Sequence, residues 1–364
     1  MAVSTRSPKI VSVVGARPQF VKVAPIHREL SRRGIEHSII HSGQHYDDSM
    51  SATFFADLGL SEPTNNLGAG SGRHAEQTAV IIDRLDSALT QLQPDVVVIY
   101  GDTNTTLAAA VVVAKRSEIL VHVEAGLRSN NRRMPEEINR IAADHLSHLL
   151  LAPTRTAMAI LAHEGLADRS QLVGDVMVDE LRFVEDRVRK SPPQMPEGWA
   201  TSGSYVFATI HRAENTDDES RLRYVLQRLG SMHVDVRLAV HPRLANRMKH
   251  FNIASSPSIS LWPPLSYPQT IHALRDALVV VTDSGGLQKE AVLLGRPCIT
   301  ARNETEWLET VEAGWNVIDP QLTTSIPDWS QMTRRPLADE VFGDGHAAAR
   351  IVDAILHQVG TVHG

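Results

Sequence analysis

The sequence predicts an α/β protein made of two doubly wound, Rossmann-like domains. Three observations predict it. Short β-branched runs closed by Gly, Asp or Pro alternate with longer segments of helical apolar spacing, the mark of parallel βαβ units. The alternation stops once, at residues 191–203 (SPPQMPEGWATSG), and then resumes. A chain of 364 residues also exceeds what one hydrophobic core ordinarily supports.

In chain order, the first half offers strands at 10–14, 38–41, 95–100, 119–123 and 149–152, separated by helices at 18–32, 75–91, 105–115 and 136–146. The second half offers strands at 205–210, 236–240, 259–261, 278–282 and 297–300, whose continuous apolar character fits a sheet covered on both faces. A last helix, about 345–358, follows a loop region with three prolines from Pro320 to Pro336 and is expected to pack back onto the first domain. The expected division is 1–175, 176–340 and 341–364, with ligands at the carboxyl ends of the strands. There is no internal repeat and no low-complexity segment.

Composition narrows the function. A net charge of −6 gives no support to a nucleic-acid partner, although a basic site for a diphosphate is compatible with it. Cys298 is the one cysteine, which excludes an intrachain disulfide and a multi-cysteine metal cage and suits a reducing compartment. The apolar run at 10–14 is too short for a signal-peptide core and ends in a Gly-Ala-Arg-Pro turn; no run approaches a membrane span. The expectation is a cytoplasmic protein with no membrane partner.

The first βα turn, Gly15-Ala16-Arg17-Pro18-Gln19, carries neither a dinucleotide fingerprint nor a P-loop. Pro18 suits a helix start, and Arg17 and Lys22 flank that helix's positive end, so they form either an anion site or two surface charges. Asp102 and Glu124 each follow a strand and should face the crevice above the sheet, yet Asp102, ahead of Thr103-Asn104-Thr105, is equally a helix N-cap. Pro135, Glu136 and Glu137 make a good first helical turn, which alone accounts for the acidic pair.

In the second half, Thr209-Ile210-His211-Arg212-Ala213-Glu214-Asn215 closes a strand with polar residues, and His211 is an acid–base candidate by its ordinary near-neutral titration. With 17 histidines in the chain that signal is diluted, and His145 and His148 lack the HExxH spacing of a zinc site. The strongest local motif is Thr282-Asp283-Ser284-Gly285-Gly286, a strand ending in a turn that opens a helix. Such a turn exposes backbone N–H groups to a phosphate, and Glu290, one and a half turns on, is placed to accept from a ribose.

Ten ordered segments, GARPQFVKVAP, SGQHYD, YGDTNTT, HVEAGLRS, PEEINRIAADH, GDVMVDE, ATIHRAEN, PLSY, TDSGGLQKEA and ETEW, together resemble the non-hydrolysing UDP-N-acetylglucosamine 2-epimerases from Gly15 to about Ile318. The resemblance implies a GT-B-like fold with the active site in the interdomain cleft, a UDP-sugar substrate, neither metal nor other cofactor, and a homodimer. It also implies a reaction in which loss of the C2 proton is coupled to anti elimination of UDP, giving a 2-acetamidoglucal to which UDP adds back. Carried over by position, the catalytic residues fall on Asp102, Glu124, Glu136, Arg140 and His211. Substrate contacts fall on Arg17, Lys22, Arg212, Asn215, Ser284, Gly285, Gly286 and Glu290, and an activating second site on Gln44 and His45.

There are departures. Gln19 stands where many bacterial members have Glu, and Asp47 where a glutamine is common. The ETEW and GWN segments resemble a subgroup that includes enzymes for diacetamido-glucuronates. A hydrolysing epimerase, a GT-B glycosyltransferase and a sugar-nucleotide-binding regulator are the other readings open at this point.

Overall fold

The computed structural model describes residues 7–44, 52–199, 204–326 and 339–363. The chain forms two compact units, Met1–Arg182 with Asp339–Gly364, and Phe183–Ala338. Gln44 falls within the described residues, whereas His45 and Asp47 lie outside them.

Unit 1 runs β1 (Ile10–Val14), α1 (Arg17–Arg32), β2 (His37–His41), α2 (Ala52–Asp57), β3 (Asn65–Asn66), α3 (His74–Leu92), β4 (Val96–Tyr100), α4 (Asn104–Val113), β5 (Ile119–Val123), α5 (Pro135–Leu146), β6 (Leu149–Ala152), α6 (Arg155–His163), β7 (Ser170–Leu172) and α7 (Val176–Lys190), the last of which continues into unit 2. Its seven strands are all parallel in the order β3-β2-β1-β4-β5-β6-β7. The strand order reverses beside β1, where β2 and β4 leave in opposite directions, so the loops after β1, β4 and β5 gather at one edge of the sheet. β1, β4 and β5 are buried along their whole length, which is why they read as unbroken apolar runs. The C-terminal helix Ala347–His363 packs on α1, β5 and β6.

Unit 2 runs β8 (Tyr205–Thr209), α8 (Ala213–Thr216), α9 (Glu219–Gly230), β9 (Asp235–Ala239), α10 (Pro242–His250), β10 (Ile259–Trp262), α11 (Tyr267–Asp276), β11 (Val279–Thr282), α12 (Gly285–Leu293), β12 (Cys298–Thr300), α13 (Leu308–Glu312) and β13 (Asn316–Ile318). Its six parallel strands are ordered β10-β9-β8-β11-β12-β13, with the reversal beside β8. The core packs Val206, Ala208, Val279 and Val281 of the sheet against Leu222, Val225 and Leu226 of α9. Cys298 is buried in this sheet, and burial pushes its thiol up to about 12.

The stretch expected as a linker or surface loop has no regular structure over 191–199 and lies within unit 2, where it is anchored. Trp199 is buried, with its ring 4.9 Å from Trp262 and stacked under the Arg237 guanidinium, which also lies 3.9 Å from the Tyr205 ring. A proline- and glycine-rich composition therefore marks the path of the chain here without making it a free tether.

A polar line, half-buried at His27 and His37 and fully buried at Ser12 and Tyr100, runs through unit 1. His27 Nδ1 meets His37 Nδ1 at 2.9 Å, His37 Nε2 meets Ser12 Oγ at 2.8 Å, and Ser12 Oγ meets Tyr100 Oη at 2.7 Å. Burial, with His27 beside it, holds His37 down to about 3, so the folded protein keeps this ring neutral. The unfolded chain protonates it below about pH 6.5, and stability must fall with pH from that value downward. Urea denaturation should show wild type losing about 1–2 kcal/mol between pH 7.5 and 5 that His37→Gln does not lose; equal losses would remove His37 as the cause.

Candidate active site

At the carboxyl edge of the unit 1 sheet, three loops place their polar side chains together. The loop after β1 is shaped by Gln19, whose Oε1 accepts from the backbone N–H groups of Gly15 (2.7 Å) and Ala16 (3.1 Å) while its Nε2 donates to Tyr100 O (2.7 Å). That side chain supplies the reciprocal half of a capping box, reaching back to the N-cap Ala16 N–H at the start of α1, with Arg17 and Pro18 as the first two helical residues. One turn on, Lys22 Nζ hydrogen-bonds Glu124 Oε2, and both side chains are nearly buried. Burial works against the Lys22 charge, but Glu124, and behind it Asp102, hold the ammonium above the ordinary lysine value.

Glu124 itself sits at φ +70°, a left-handed conformation that costs a non-glycine residue on the order of 1–3 kcal/mol. A side chain added at Gly101 would lie 3.2 Å from Glu124 Oε2 and 3.3 Å from Lys22 Nζ, so the turn after β4 passes directly beneath this ion pair. Asp102, next in that turn, accepts from Arg140 Nη2 at 2.5 Å.

The N-cap alternative for Asp102 fails. Thr103 caps α4, its hydroxyl accepting from Thr106 N, which leaves Asp102 turned toward Arg140. Glu136 and Glu137 both lie in the first turn of α5, but Glu137 is spent on the preceding loop, accepting from Ser129 N, Ser129 Oγ and Asn130 N, whereas Glu136 is half-buried. Arg140 is 3% exposed, and besides Asp102 its Nη1 lies 3.5 Å from Glu137 Oε2, so the guanidinium is held between two carboxylates. Gln44 is buried with Oε1 accepting from Thr105 N (3.0 Å) and Thr105 Oγ1 (2.8 Å), fixing the start of α4.

In unit 2 the loops after β8 and β11 converge on Asp283, a fully buried carboxylate. It accepts from the backbone N–H of His211 (3.1 Å) and Arg212 (3.0 Å) and from Asn215 Nδ2 (3.0 Å), and its Oδ1 lies 3.1 Å from His211 Nδ1. His211 and these donors hold Asp283 below the ordinary carboxylate value against the opposing effect of burial. The arrangement directs His211 Nδ1 at the carboxylate and leaves Nε2 on the other side of a ring that is one-third exposed. Ser284 caps α12 through its hydroxyl and Leu287 N at 3.4 Å, with Gly285 and Gly286 as the first helical residues. Glu290 lies on the same helix, 5% exposed, and accepts from Tyr267 Oη at 3.0 Å. Among the described residues no cluster of His, Cys, Asp and Glu could hold a metal, and no helix is long and apolar enough to cross a membrane.

A family model described as UDP-N-acetylglucosamine 2-epimerase matches residues 28–356. The chain belongs to the UDP-N-acetylglucosamine 2-epimerase family. The UDP-N-acetylglucosamine 2-epimerase homolog of Methanococcus maripaludis is 39% identical over 359 residues, covering 95% of this chain and 99% of the relative. The UDP-2,3-diacetamido-2,3-dideoxy-D-glucuronate 2-epimerase of Pseudomonas aeruginosa is 36% identical over 355 residues, covering 95% and 98%. Among solved structures, the UDP-GlcNAc 2-epimerase of Methanocaldococcus jannaschii in complex with UDP-GlcNAc and UDP superposes with a TM-score of 0.86 at 36% identity, covering 96% and 99%. Two parallel Rossmann-like sheets of the GT-B-like class are thus the fold of this epimerase family member.

Within unit 1 of this epimerase, the structure places two ion pairs, Lys22–Glu124 and Arg140–Asp102, on loops at the same edge of the sheet; within unit 2 it gathers His211, Arg212 and Asn215 around one carboxylate, directly before the Ser284–Gly286 turn. The residue that sequence reasoning passed over is Asp283. Its place directly after β11, in a motif already singled out for its glycines, was the available signal; its partner lies 72 residues away in the chain.

Proposed function

We propose that this chain interconverts UDP-N-acetylglucosamine and UDP-N-acetylmannosamine by inverting C2 of the hexose. The observation that carries the reading is the set of carboxylates in unit 1, each held by a buried cation, together with family membership over residues 28–356.

The chemistry asks for those residue types. C2 bears a weakly acidic proton, so its removal must be coupled to departure of the anomeric phosphate: the C2–H bond breaks with the proton passing to a carboxylate, a C1–C2 double bond forms, and the C1–O bond breaks with the electron pair leaving on UDP. Return of UDP to C1 and delivery of a proton to the opposite face of C2 complete the inversion with no net change in redox state. Lys22 pairs with Glu124 and Arg140 with Asp102, so each carboxylate that handles the proton is oriented by a cation. His211, oriented by Asp283, supplies acid–base catalysis, and the first turn of α12 with Arg212 and Glu290 binds the nucleotide. The same reading carries a cytoplasmic, homodimeric enzyme whose second nucleotide contact involves Gln44 and His45.

One observation favours a second substrate. The Pseudomonas relative acts, by its name, on a diacetamido-glucuronate, and the ETEW and GWN segments fit that subgroup. Incubation with each UDP-sugar in heavy water, followed by proton NMR, separates the two: the true substrate yields its C2 epimer with deuterium at C2. Retention of protium at C2 throughout turnover would sink the elimination mechanism, and steady accumulation of UDP would point to the hydrolysing relative.

A further inference from the structure

We propose that His122 is a buried imidazolium that, with Asp144, positions both carboxylate-bearing loops of unit 1, clamping Gly101 ahead of Asp102 and, through Asp144, Gly126 behind Glu124. The proposal rests on the reading of Asp102 and Glu124 as acid–base groups, and it concerns residues outside the set assigned above.

The geometry decides the protonation. His122 lies at the centre of β5 and is fully buried, with Nδ1 2.7 Å from Asp144 Oδ1 and Nε2 2.8 Å from the carbonyl oxygen of Gly101. A backbone carbonyl only accepts, so Nε2 must donate. The Asp144 carboxylate also only accepts while ionised, and it is kept ionised: its other oxygen meets Arg128 Nη1 at 2.7 Å, and despite burial it is held below the ordinary carboxylate value by His122 and Arg128. Nδ1 therefore donates as well. Either neutral tautomer would set a ring lone pair against an oxygen at 2.7–2.8 Å inside the protein. Arg128 is in turn fixed by a two-pronged contact with Glu164 at 2.8 and 2.7 Å, so the charges around the ring are Asp144, Arg128 and Glu164.

The consequence reaches both loops. The Gly101 carbonyl that His122 grips belongs to the left-handed residue (φ +60°) immediately before Asp102. The same Asp144 accepts from Gly126 N at 3.1 Å, two residues past Glu124, which is itself left-handed. Helix α5 completes the frame: Glu136, Arg140 and Asp144 are four residues apart on one face, and that face holds Asp102 through Arg140 and His122 through Asp144. A buried charged pair is an expensive way to fill a core, and an apolar pair of the same volume would serve packing equally well. Holding two loops at one geometry is what the charged pair adds.

The full-length chain, labelled with 15N-histidine, should show at pH 7.5 one ring with both nitrogens protonated, missing from a His122 variant. If His122 is neutral there, the proposal is overturned, whatever the enzyme's activity. Kinetically, His122→Asn keeps a donor toward Asp144 but releases Gly101, whereas His122→Gln can still reach the Gly101 carbonyl. His122→Asn is expected to lose about tenfold or more in kcat with KM within about threefold, and His122→Gln to lose less than about threefold, with both folded by circular dichroism. Equal kcat losses in the two variants, or losses that simply follow their melting temperatures, would reduce His122 to a packing residue. An inactive wild type would strike the epimerase reading alone, because the NMR result stands without turnover.

Discussion

Glu124→Gln is expected to lower kcat for epimerisation at least about a hundredfold, the usual minimum for removing a group that transfers a proton in the rate-determining transition state. The amide is isosteric and can occupy the same left-handed backbone position, so the fold should persist. It will not persist without cost. Lys22 is buried and its ammonium is stabilised by this one contacting carboxylate, and leaving that cation beside a neutral amide should lower stability by about 1–3 kcal/mol. The control is His211→Asn, on a side chain one-third exposed, which should cut kcat by a similar factor with far less effect on stability. The decisive measurement is kcat of each variant alongside its denaturation midpoint. Near-normal turnover in Glu124→Gln would remove Glu124 from the chemistry, while a hundredfold loss that a folded Lys22→Met variant fails to share would limit the lysine to structural pairing.

Gly126→Ala should be the most damaging single methyl in unit 1. Gly126 has φ +84°, and a Cβ built there would stand 2.6 Å from the carbonyl oxygen of Ala157 and 2.8 Å from Leu161 Cγ. The first neighbour is helix backbone and cannot swing aside. Left-handed strain and a forced shift of α6 together predict a loss of about 3 kcal/mol or more, readable as a drop in the urea midpoint. The loop carrying Glu124 would move with it, so activity should fall in the surviving folded fraction. A variant within about 1 kcal/mol of wild type would show that α6 yields more easily than close packing allows.

Both predictions concern features that the chain discloses unevenly. The buried strands β1, β4 and β5 and the helices between them were legible because their apolar runs and periodicities are local properties. The edge strands were not: β3 is Asn65–Asn66, β7 is Ser170–Leu172, and β13 is three residues following Trp315, all too short or too polar to show a period. At the site, the loop positions of Asp102, Glu124 and His211 followed from strand ends alone. Their partners did not. Lys22 and Glu124 lie 102 residues apart, and His211 and Asp283 72, so those pairings are products of the sheet order. Capping was misassignable for the same reason, since Asp102 and Thr103 are both good caps in isolation and only Arg140 decides between them. Glutamine at position 19 became intelligible once its two acceptor contacts and two donor contacts were visible, because an amide can serve Gly15, Ala16, Tyr100 and Thr106 at once where a carboxylate could not donate.

The solitary, solvent-shielded thiol in β12 has a practical corollary. With Cys298 fully enclosed and its proton tightly held, maleimide and iodoacetamide reagents should pass over the native protein. Any cysteine introduced on the surface of either unit then becomes the single reactive handle, so dye pairs can be attached to one unit each without first stripping the wild-type background. Distance changes between those dyes as nucleotide is added would report substrate-driven motion directly in solution.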